Sequence, residues 1–271
     1  MKINNIIEKA KEFERNPPHL YNPEKTKKEI EEFTTKFNYE KIKNLNLEEY
    51  VLGNNNKDTF SYLLEFKYIA GANIKGNPSK KFYIFTNSML FPKQMYKLGT
   101  KMTEITKNQA EIEFEKVRDT IIKILDYSKE GNFIAVDELE ILSSMVKSKI
   151  IYMYVPGKIT SVMSPERIRK ACNLFDVEFD PKHPIYSNHE LFKKIKSIEF
   201  FNSWDSYKIG SFLSYLYDTP EPTLLSNNFS GLLESKKQII LYGPPGTGKT
   251  FKTKQYATEF LAGELNEWNP S

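Results

Sequence analysis

Residues 243–250 read Gly-Pro-Pro-Gly-Thr-Gly-Lys-Thr, which fits the P-loop pattern Gly-x-x-x-x-Gly-Lys-[Ser/Thr]. An apolar run at 238–242 precedes this stretch and has the composition of a short β-strand. The segment 250–261 follows it and places Phe251 and Tyr256 on a helical pattern. The order of strand, glycine-rich loop and helix is the context that the motif requires, so the sequence predicts the start of a P-loop nucleotide-binding domain.

Each residue type in this loop suits the binding of a nucleoside triphosphate. Glycines let the backbone turn sharply and bring its N–H groups close to phosphate oxygens, and the N-terminus of the following helix attracts the same anion. Lys249 supplies a positive charge for the β- and γ-phosphates, and the Thr250 hydroxyl is a hard oxygen ligand for Mg²⁺. The predicted nucleotide-contacting residues are Gly243, Pro244, Pro245, Gly246, Thr247, Gly248, Lys249, Thr250 and Phe251.

The sequence after the loop lacks the second part of a hydrolytic site. A P-loop NTPase also needs an acidic residue on a neighbouring strand to position the metal and the attacking water. The acidic residues after Thr250 are Glu259, Glu264 and Glu267, all within or just past the first helix. We therefore expect a truncated or natively interrupted NTPase domain that hydrolyses nothing by itself.

Upstream of the loop, a stretch rich in proline and acids marks a domain boundary. Residues 218–223 read Asp-Thr-Pro-Glu-Pro-Thr, a composition that disfavours both helix and sheet. The predicted fold class is α/β: a mixed α+β N-terminal domain, then the first strand, P-loop and helix of an NTPase domain. The predicted divisions are a helical segment 1–50, a mixed α/β domain for DNA or target recognition 51–218, a linker 219–225 and a truncated NTPase domain 226–271.

Local patterns predict most of the elements of the N-terminal region. The longest helix is expected over 106–127, with Ile112 on its apolar face and Gly131 as its end. Ser164-Pro165 is typical of a helix start. The remaining predicted elements are a strand or short helix at 59–66, a strand at 81–85, a helix at 136–146, a buried strand at 149–155, and helices at 188–198 and 203–217.

Composition excludes several classes of protein. Of 271 residues, 14% are aromatic, too many for a disordered chain, and no apolar stretch is long enough for a membrane span. The net charge of +4 permits nucleic-acid binding without arguing for it. Cys172 is the sole cysteine, so we expect a core thiol and a cytoplasmic setting rather than a disulfide framework. His183 and His189 lack nearby partners for a metal site.

Residues 239–251 resemble the start of the AAA+ domain of McrB-type restriction proteins, the motor subunits of modification-dependent restriction systems. The P-loop sequence itself is shared with many AAA+ ATPases. Three upstream stretches are also similar to that family: 59–85, with its aromatic-Leu-Glu segment and glycine turn; 149–166, with Tyr-x-Pro-x-Lys character; and 201–222, ending in Pro-Glu-Pro. The resemblance covers about residues 55–250.

The resemblance implies a set of ligands and partners. The nucleotide is ATP or GTP with Mg²⁺, and the full-length motor forms a homo-oligomeric ring with a McrC-like nuclease as partner. The N-terminal region recognises DNA, often through a modified base flipped into an aromatic pocket. Candidate aromatics for that pocket are Tyr62, Tyr68, Tyr83, Tyr152, Tyr154 and Trp204, and candidate phosphate contacts are Lys75, Lys80 and Lys81.

Three functions remain open from the sequence. The first is the motor subunit of a restriction enzyme. The second is a stand-alone DNA- or protein-binding module whose P-loop is a vestige, and the third is a signalling or antiviral ATPase of the wider AAA+ class. The choice between ATP and GTP, and the DNA modification that is read, also stay open, because a P-loop contacts phosphates and not bases.

Overall fold

The structure is a computed structural model that describes residues 3–18, 21–53, 55–68, 74, 81–86, 95–99, 101–218, 253, 254 and 257. Within these residues the fold is mixed α/β, rich in helix, with one small three-stranded antiparallel sheet. The chain divides into two units, Met1–Leu216 and Tyr217–Ser271. The predicted linker at 219–225 and the predicted strand at 238–242 lie outside the described residues.

The elements of the described chain follow in order. They are α1 Ile3–Arg15, α2 Pro23–Lys36, α3 Tyr39–Lys43, α4 Leu47–Tyr50, α5 Phe60–Tyr62, a π-helix Leu63–Lys67, β1 Ile84–Phe85, β2 Met95–Leu98, β3 Thr103–Thr106, α6 Lys107–Glu130, α7 Phe133–Glu138, α8 Ser144–Tyr154, α9 Pro165–Leu174, α10 Pro184–Lys196, a 3-10 helix Glu199–Phe201 and α11 Ser206–Asp218.

Asparagine side chains start the helices of the N-terminal segment. Asn22, Asn38 and Asn46 each precede a helix, and their side chains accept backbone N–H bonds from the first turns of α2, α3 and α4. Such caps satisfy donors that have no partner inside the helix. The described residues of the segment 1–50 accordingly form four helices, as the sequence predicts.

The sheet has the order β1-β2-β3, and both pairs are antiparallel. β3 leads directly into α6, where Thr106 and Gln109 form a reciprocal capping box. α6 ends at Gly131, whose φ of 81° is in the left-handed region that favours glycine. The long helix predicted from residue 106 and its end at Gly131 are confirmed.

A continuous hydrophobic core joins the N-terminal helices to the rest of the first unit. Phe33 and Tyr50 are fully buried in the same cluster as Ile121 of α6 and Ile150 of α8. At another face, Phe13 of α1 contacts an aromatic cluster built on α11. Residues 3–50 therefore pack as part of the first unit.

The predicted buried strand at 149–155 is wrong, because these residues form most of α8. Every residue from Val146 to Met153 is buried, so the helix is enclosed on all sides and carries no apolar period. A short continuous apolar run cannot be told from a strand by its pattern alone. The helix starts where the Ser143 side chain accepts the N–H of Val146.

The helix predicted at 136–146 also has the wrong bounds. α7 ends at Glu138, and α8 begins at Ser144. Between them Leu142 has a φ of 70°, which breaks helical geometry, and the N–H of Ser143 donates to the carbonyl of Lys81. Ile112, expected on the apolar face of α6, is 62% exposed.

The other local predictions hold in part. Residues 60–67 are helical, which settles the choice left open at 59–66. The strand predicted at 81–85 is limited to Ile84–Phe85. The helix after Ser164 is confirmed as α9, and the last two predicted helices correspond to α10 and α11 with shifted starts. None of the helices in the described ranges has the length and hydropathy that a membrane crossing demands.

Candidate functional site

The predicted nucleotide-binding residues, 243–251, lie outside the described residues, as does the magnesium ligand predicted at Thr250. Just beyond the loop, Thr253, Lys254 and Ala257 are each helical and exposed. The donors that the sequence supplies are glycine N–H groups, the ammonium group of Lys249 and the hydroxyl groups of Thr247 and Thr250. This set matches the chemistry of a triphosphate with Mg²⁺.

Three of the six aromatic residues predicted to contact a flipped base are core residues instead. Tyr68 and Tyr152 are 4% and 3% exposed, and Trp204 is 3% exposed. The indole of Trp204 packs against Phe201 and Phe212, with ring centroids 5.0 and 5.5 Å away. These three rings have no free face for a base, so their assignment to a base pocket is wrong.

The other three predicted aromatics are half-buried. The Tyr154 hydroxyl donates to the carbonyl of Phe37 at 2.6 Å, and that of Tyr83 lies 3.4 Å from a Glu113 carboxylate oxygen. Tyr62 instead pairs with the exposed ring of Phe66, at a centroid distance of 5.1 Å. Phe66 was missed by the sequence prediction, although its i,i+4 spacing from Tyr62 is the signal for such a helical pair.

Lys81 is not the surface phosphate contact that its position in a lysine-rich loop predicted. Its side chain is 8% exposed, and its Nζ lies 2.6 Å from Oε1 of Glu65, whose side chain is fully buried. The same ammonium group donates to the carbonyl of Ile74. The other two lysines of the predicted patch, Lys75 and Lys80, lie outside the described residues.

A second lysine is buried close to the same turn of the chain. Lys149, on α8, is fully buried, and its Nζ donates to the carbonyl of Tyr68 at 2.7 Å. Burial lowers the pKa of Lys149 to about 7, although the carboxylate of Glu29 favours the charged form. Glu65 lies in the middle of the π-helix and Tyr68 directly follows it, so the two lysines bind the same short segment three residues apart.

Two uncommon backbone features occur beside these lysines. The segment Leu63–Lys67 is a π-helix, a rare form that occurs mostly as single turns and frequently at functional sites. Tyr83 has a φ of 69°, which is strained for a bulky residue, and its carbonyl accepts the N–H of Gly99 at 2.7 Å. Lys81 and Lys149 together bind the Glu65 carboxylate and the carbonyl groups of Tyr68 and Ile74, so they hold this part of the backbone in place.

Histidine and cysteine residues have structural partners. The ring of His189 stacks on Phe133 at 4.4 Å, and its Nδ1 bonds the carbonyl of Lys158 at 2.6 Å. Cys172 is buried on α9, as predicted, and burial raises the pKa of its thiol to about 11. Over the described ranges, no three His, Cys, Asp or Glu side chains are grouped to hold a metal ion.

No protein-family model, curated protein or solved structure matches this chain.

Proposed function

We propose that this chain binds ATP or GTP with Mg²⁺ through residues 243–251, as the beginning of an AAA+ NTPase domain of the McrB restriction type. The single observation that carries the proposal is the sequence Gly-Pro-Pro-Gly-Thr-Gly-Lys-Thr at 243–250, between a strand-like run and a helical pattern. The helical state of Thr253, Lys254 and Ala257 supports the helix that this arrangement requires after the loop.

Each part of the loop has a separate role in this proposal. The N–H groups around Gly246 and Gly248 surround the phosphates, and the Lys249 ammonium group neutralises the β- and γ-phosphate oxygens. The Thr250 hydroxyl holds Mg²⁺, which bridges those oxygens. The proposal for this chain is binding and not hydrolysis, because the sequence predicts Glu259, Glu264 and Glu267 within or just past the first helix rather than on a second strand.

Further parts of the proposal come from the resemblance to the McrB type. The motor assembles as a homo-oligomer in the cytoplasm and acts with a McrC-like nuclease subunit. The first unit, Met1–Leu216, serves target recognition, with modified DNA as the target.

The decisive test compares nucleotide binding by the 271-residue chain and its Lys249→Ala variant in the presence of Mg²⁺. Loss of a charge-assisted contact to phosphate is expected to weaken binding about 10- to 100-fold in calorimetric titration. Lys254→Ala is the matched control, since Lys254 is an exposed lysine on the same helix. We expect this control to bind within about twofold of the parent chain. Equal binding by Lys249→Ala and the parent would overturn the proposal.

A second candidate function is a binding module that works without nucleotide. It is supported by the division of the chain, because the first unit has its own hydrophobic core and the P-loop sequence belongs to the second unit. A gel-shift titration with methylated and unmethylated duplexes, in the absence of nucleotide, separates the two functions. Salt-sensitive binding by Lys249→Ala that equals the parent's supports the module.

A further inference from the structure

The long helix α6 carries an acidic row of side chains on its exposed face. Asn108, Ile112, Glu115 and Asp119 follow one another at intervals of three or four residues, which places them along one side of the helix. All four are exposed, and Ile112 is the most exposed large hydrophobic residue that the structure describes. We call this row the acidic stripe. Other faces of α6 pack on the sheet and on α8, so the stripe is not part of the core.

Two carboxylates of the acidic stripe lack a partner of opposite charge. No cation in the described part of the chain lies within ion-pairing distance of Glu115 or Asp119. Arg118 lies beside them on α6 but donates to the carbonyl of Leu45. Lys123, one turn after Asp119, is exposed and lies beyond ion-pairing distance. Negative charge is therefore in excess along the stripe.

Helix α9 has the opposite charge on its exposed side. Arg167, Arg169 and Lys170 are exposed, whereas Ile168 and Cys172 of the same helix are buried. We call these three cations the basic face. They lie within four consecutive residues of one helix, so their grouping follows from the helix itself and needs no contact between elements.

Only part of this positive charge is balanced within the chain. Lys170 pairs with Glu166 at 2.9 Å. Over the described ranges, no carboxylate lies within ion-pairing distance of Arg169. Arg167 lies in the first turn of α9, where the helix dipole disfavours a cation. The placement of Arg167 is therefore not explained by the stability of its own helix.

The acidic stripe and the basic face are complementary surfaces of the same chain. Both are exposed in the single chain, so neither is covered by the other. Between two copies, unlike charges attract and like charges repel, which favours contact of the stripe with the basic face. The carboxylates of the stripe also repel a phosphate backbone, so a nucleic acid does not suit it. Ile112 supplies an apolar centre, a usual feature of protein interfaces.

We propose that the acidic stripe of one copy binds the basic face of a second copy of this chain. The inference deepens the homo-oligomeric assembly in the proposed function and rests on that assembly, but not on nucleotide binding. Because the two surfaces differ, the contact is head-to-tail, and such contacts close into a ring or extend further. The contact weakens as salt is added, because exposed charges are screened over about 10 Å at 0.1 M salt.

The test measures self-association of the 271-residue chain by sedimentation velocity at low and high NaCl, without nucleotide. The stripe variant is Glu115→Lys/Asp119→Lys, and the face variant is Arg169→Glu/Lys170→Glu. Each variant alone places like charges opposite one another, and we expect its association constant at low salt to fall about tenfold or more. In an equimolar mixture of the two variants, unlike charges meet again in both contacts. We expect association of the mixture to return to within about threefold of the parent.

Matched controls have the same net charge as the variants and change a different surface. Glu24→Lys/Glu31→Lys on α2 matches the stripe variant, and Lys27→Glu/Lys28→Glu on α2 matches the face variant. We expect both controls to associate within about twofold of the parent, since only their net charge changes. Ile112→Ser changes no charge and should weaken association about fivefold through lost apolar burial. This variant keeps the inference testable if a charge reversal disturbs folding, which thermal melting checks.

Three results would overturn the inference: a parent chain that stays monomeric at low salt, a variant that associates as well as its control, or a mixture that associates no better than either variant alone. A loss confined to the face variant would assign the cations of α9 to another ligand, such as a nucleic acid. Lys249→Ala should associate as the parent does in the absence of nucleotide. Failure of nucleotide binding and failure of this inference are therefore distinguishable.

Discussion

Burial of Lys149 lowers the pKa of its side chain and makes the stability of the protein depend on pH. Its ammonium group is fully buried against the carbonyl of Tyr68, and burial lowers its pKa from 10.5 to about 7. Between these values the unfolded chain binds the proton and the folded chain releases it. The free energy of unfolding therefore rises with pH from about 7 to 10.5, and this contribution is lost as pH falls through 7.

Lys149→Met is expected to remove this dependence. The unfolding free energy of the parent minus that of the variant should increase from pH 7 to pH 9 by about 1 kcal/mol per pH unit. Urea denaturation at several pH values measures it. Lys123→Met, which replaces an exposed lysine on α6, should show a constant difference. Parallel curves for the parent and Lys149→Met would show that Lys149 stays charged in the folded chain.

At the same scale, the sequence indicates which residues are unusual more readily than it indicates their partners. Lys81 was predicted to contact phosphate together with Lys75 and Lys80, yet it pairs with Glu65 inside the protein. The pair joins residues that are not neighbours on any regular element, so no periodic pattern could reveal it. Cys172 was predicted correctly because a lone cysteine on a helical pattern needs no distant partner to be buried.

At the scale of elements, the sequence predicted a helix correctly where capping residues mark its ends. α6 was predicted from its apolar period and from Gly131, and the capping box at Thr106 fixes its start. α8 was mistaken for a strand because all its faces are buried, which removes the period from its sequence. Its helical state depends on packing against α2 and α6, which a local pattern does not contain.

Two side chains, Lys147 and Asp137, connect three of these elements. Nζ of Lys147 on α8 donates to the carbonyls of Val136, Asp137 and Leu139 at 2.9 Å each, which satisfies the end of α7. The Asp137 carboxylate in turn accepts the N–H groups of Ile185 and Tyr186 at the start of α10. α7, α8 and α10 are thus joined by one chain of hydrogen bonds.

Lys147→Met should therefore destabilise the first unit strongly. The variant keeps the apolar stem of the side chain but leaves three carbonyl groups without their donor, and we expect a loss of about 3 kcal/mol in unfolding free energy. Urea denaturation at pH 7 measures this loss. Lys129→Met, on the exposed side of α6, is the control and should change stability by less than about 0.5 kcal/mol. A similar small change in Lys147→Met would mean that water replaces the ammonium group at no cost.

For the whole molecule, the division after residue 216 separates the described hydrophobic core from the sequence motif for nucleotide binding. Every buried residue of the described core, from Ile6 to Leu216, belongs to the first unit. The sequence motif that carries the proposed nucleotide binding belongs to the second unit, Tyr217–Ser271. The proposed nucleotide binding rests on a local motif in the sequence, whereas the partners of the buried lysines Lys81 and Lys149 are visible only in the folded chain.

The fragment 1–218, which keeps all of α11, is expected to fold on its own. Because the described core contains no residue beyond Leu216, its melting temperature should lie within about 3 °C of the first unit's transition in the full chain, equivalent to about 1 kcal/mol. A fragment ending at residue 205 is the matched control. It lacks Phe212 and Leu213, which are buried, and Phe212 packs on Phe13 of α1 at a centroid distance of 5.7 Å. Calorimetry should show a clear loss of stability in the shorter fragment alone. A non-cooperative transition in the fragment 1–218 would show that the first unit depends on residues 219–271 for its fold.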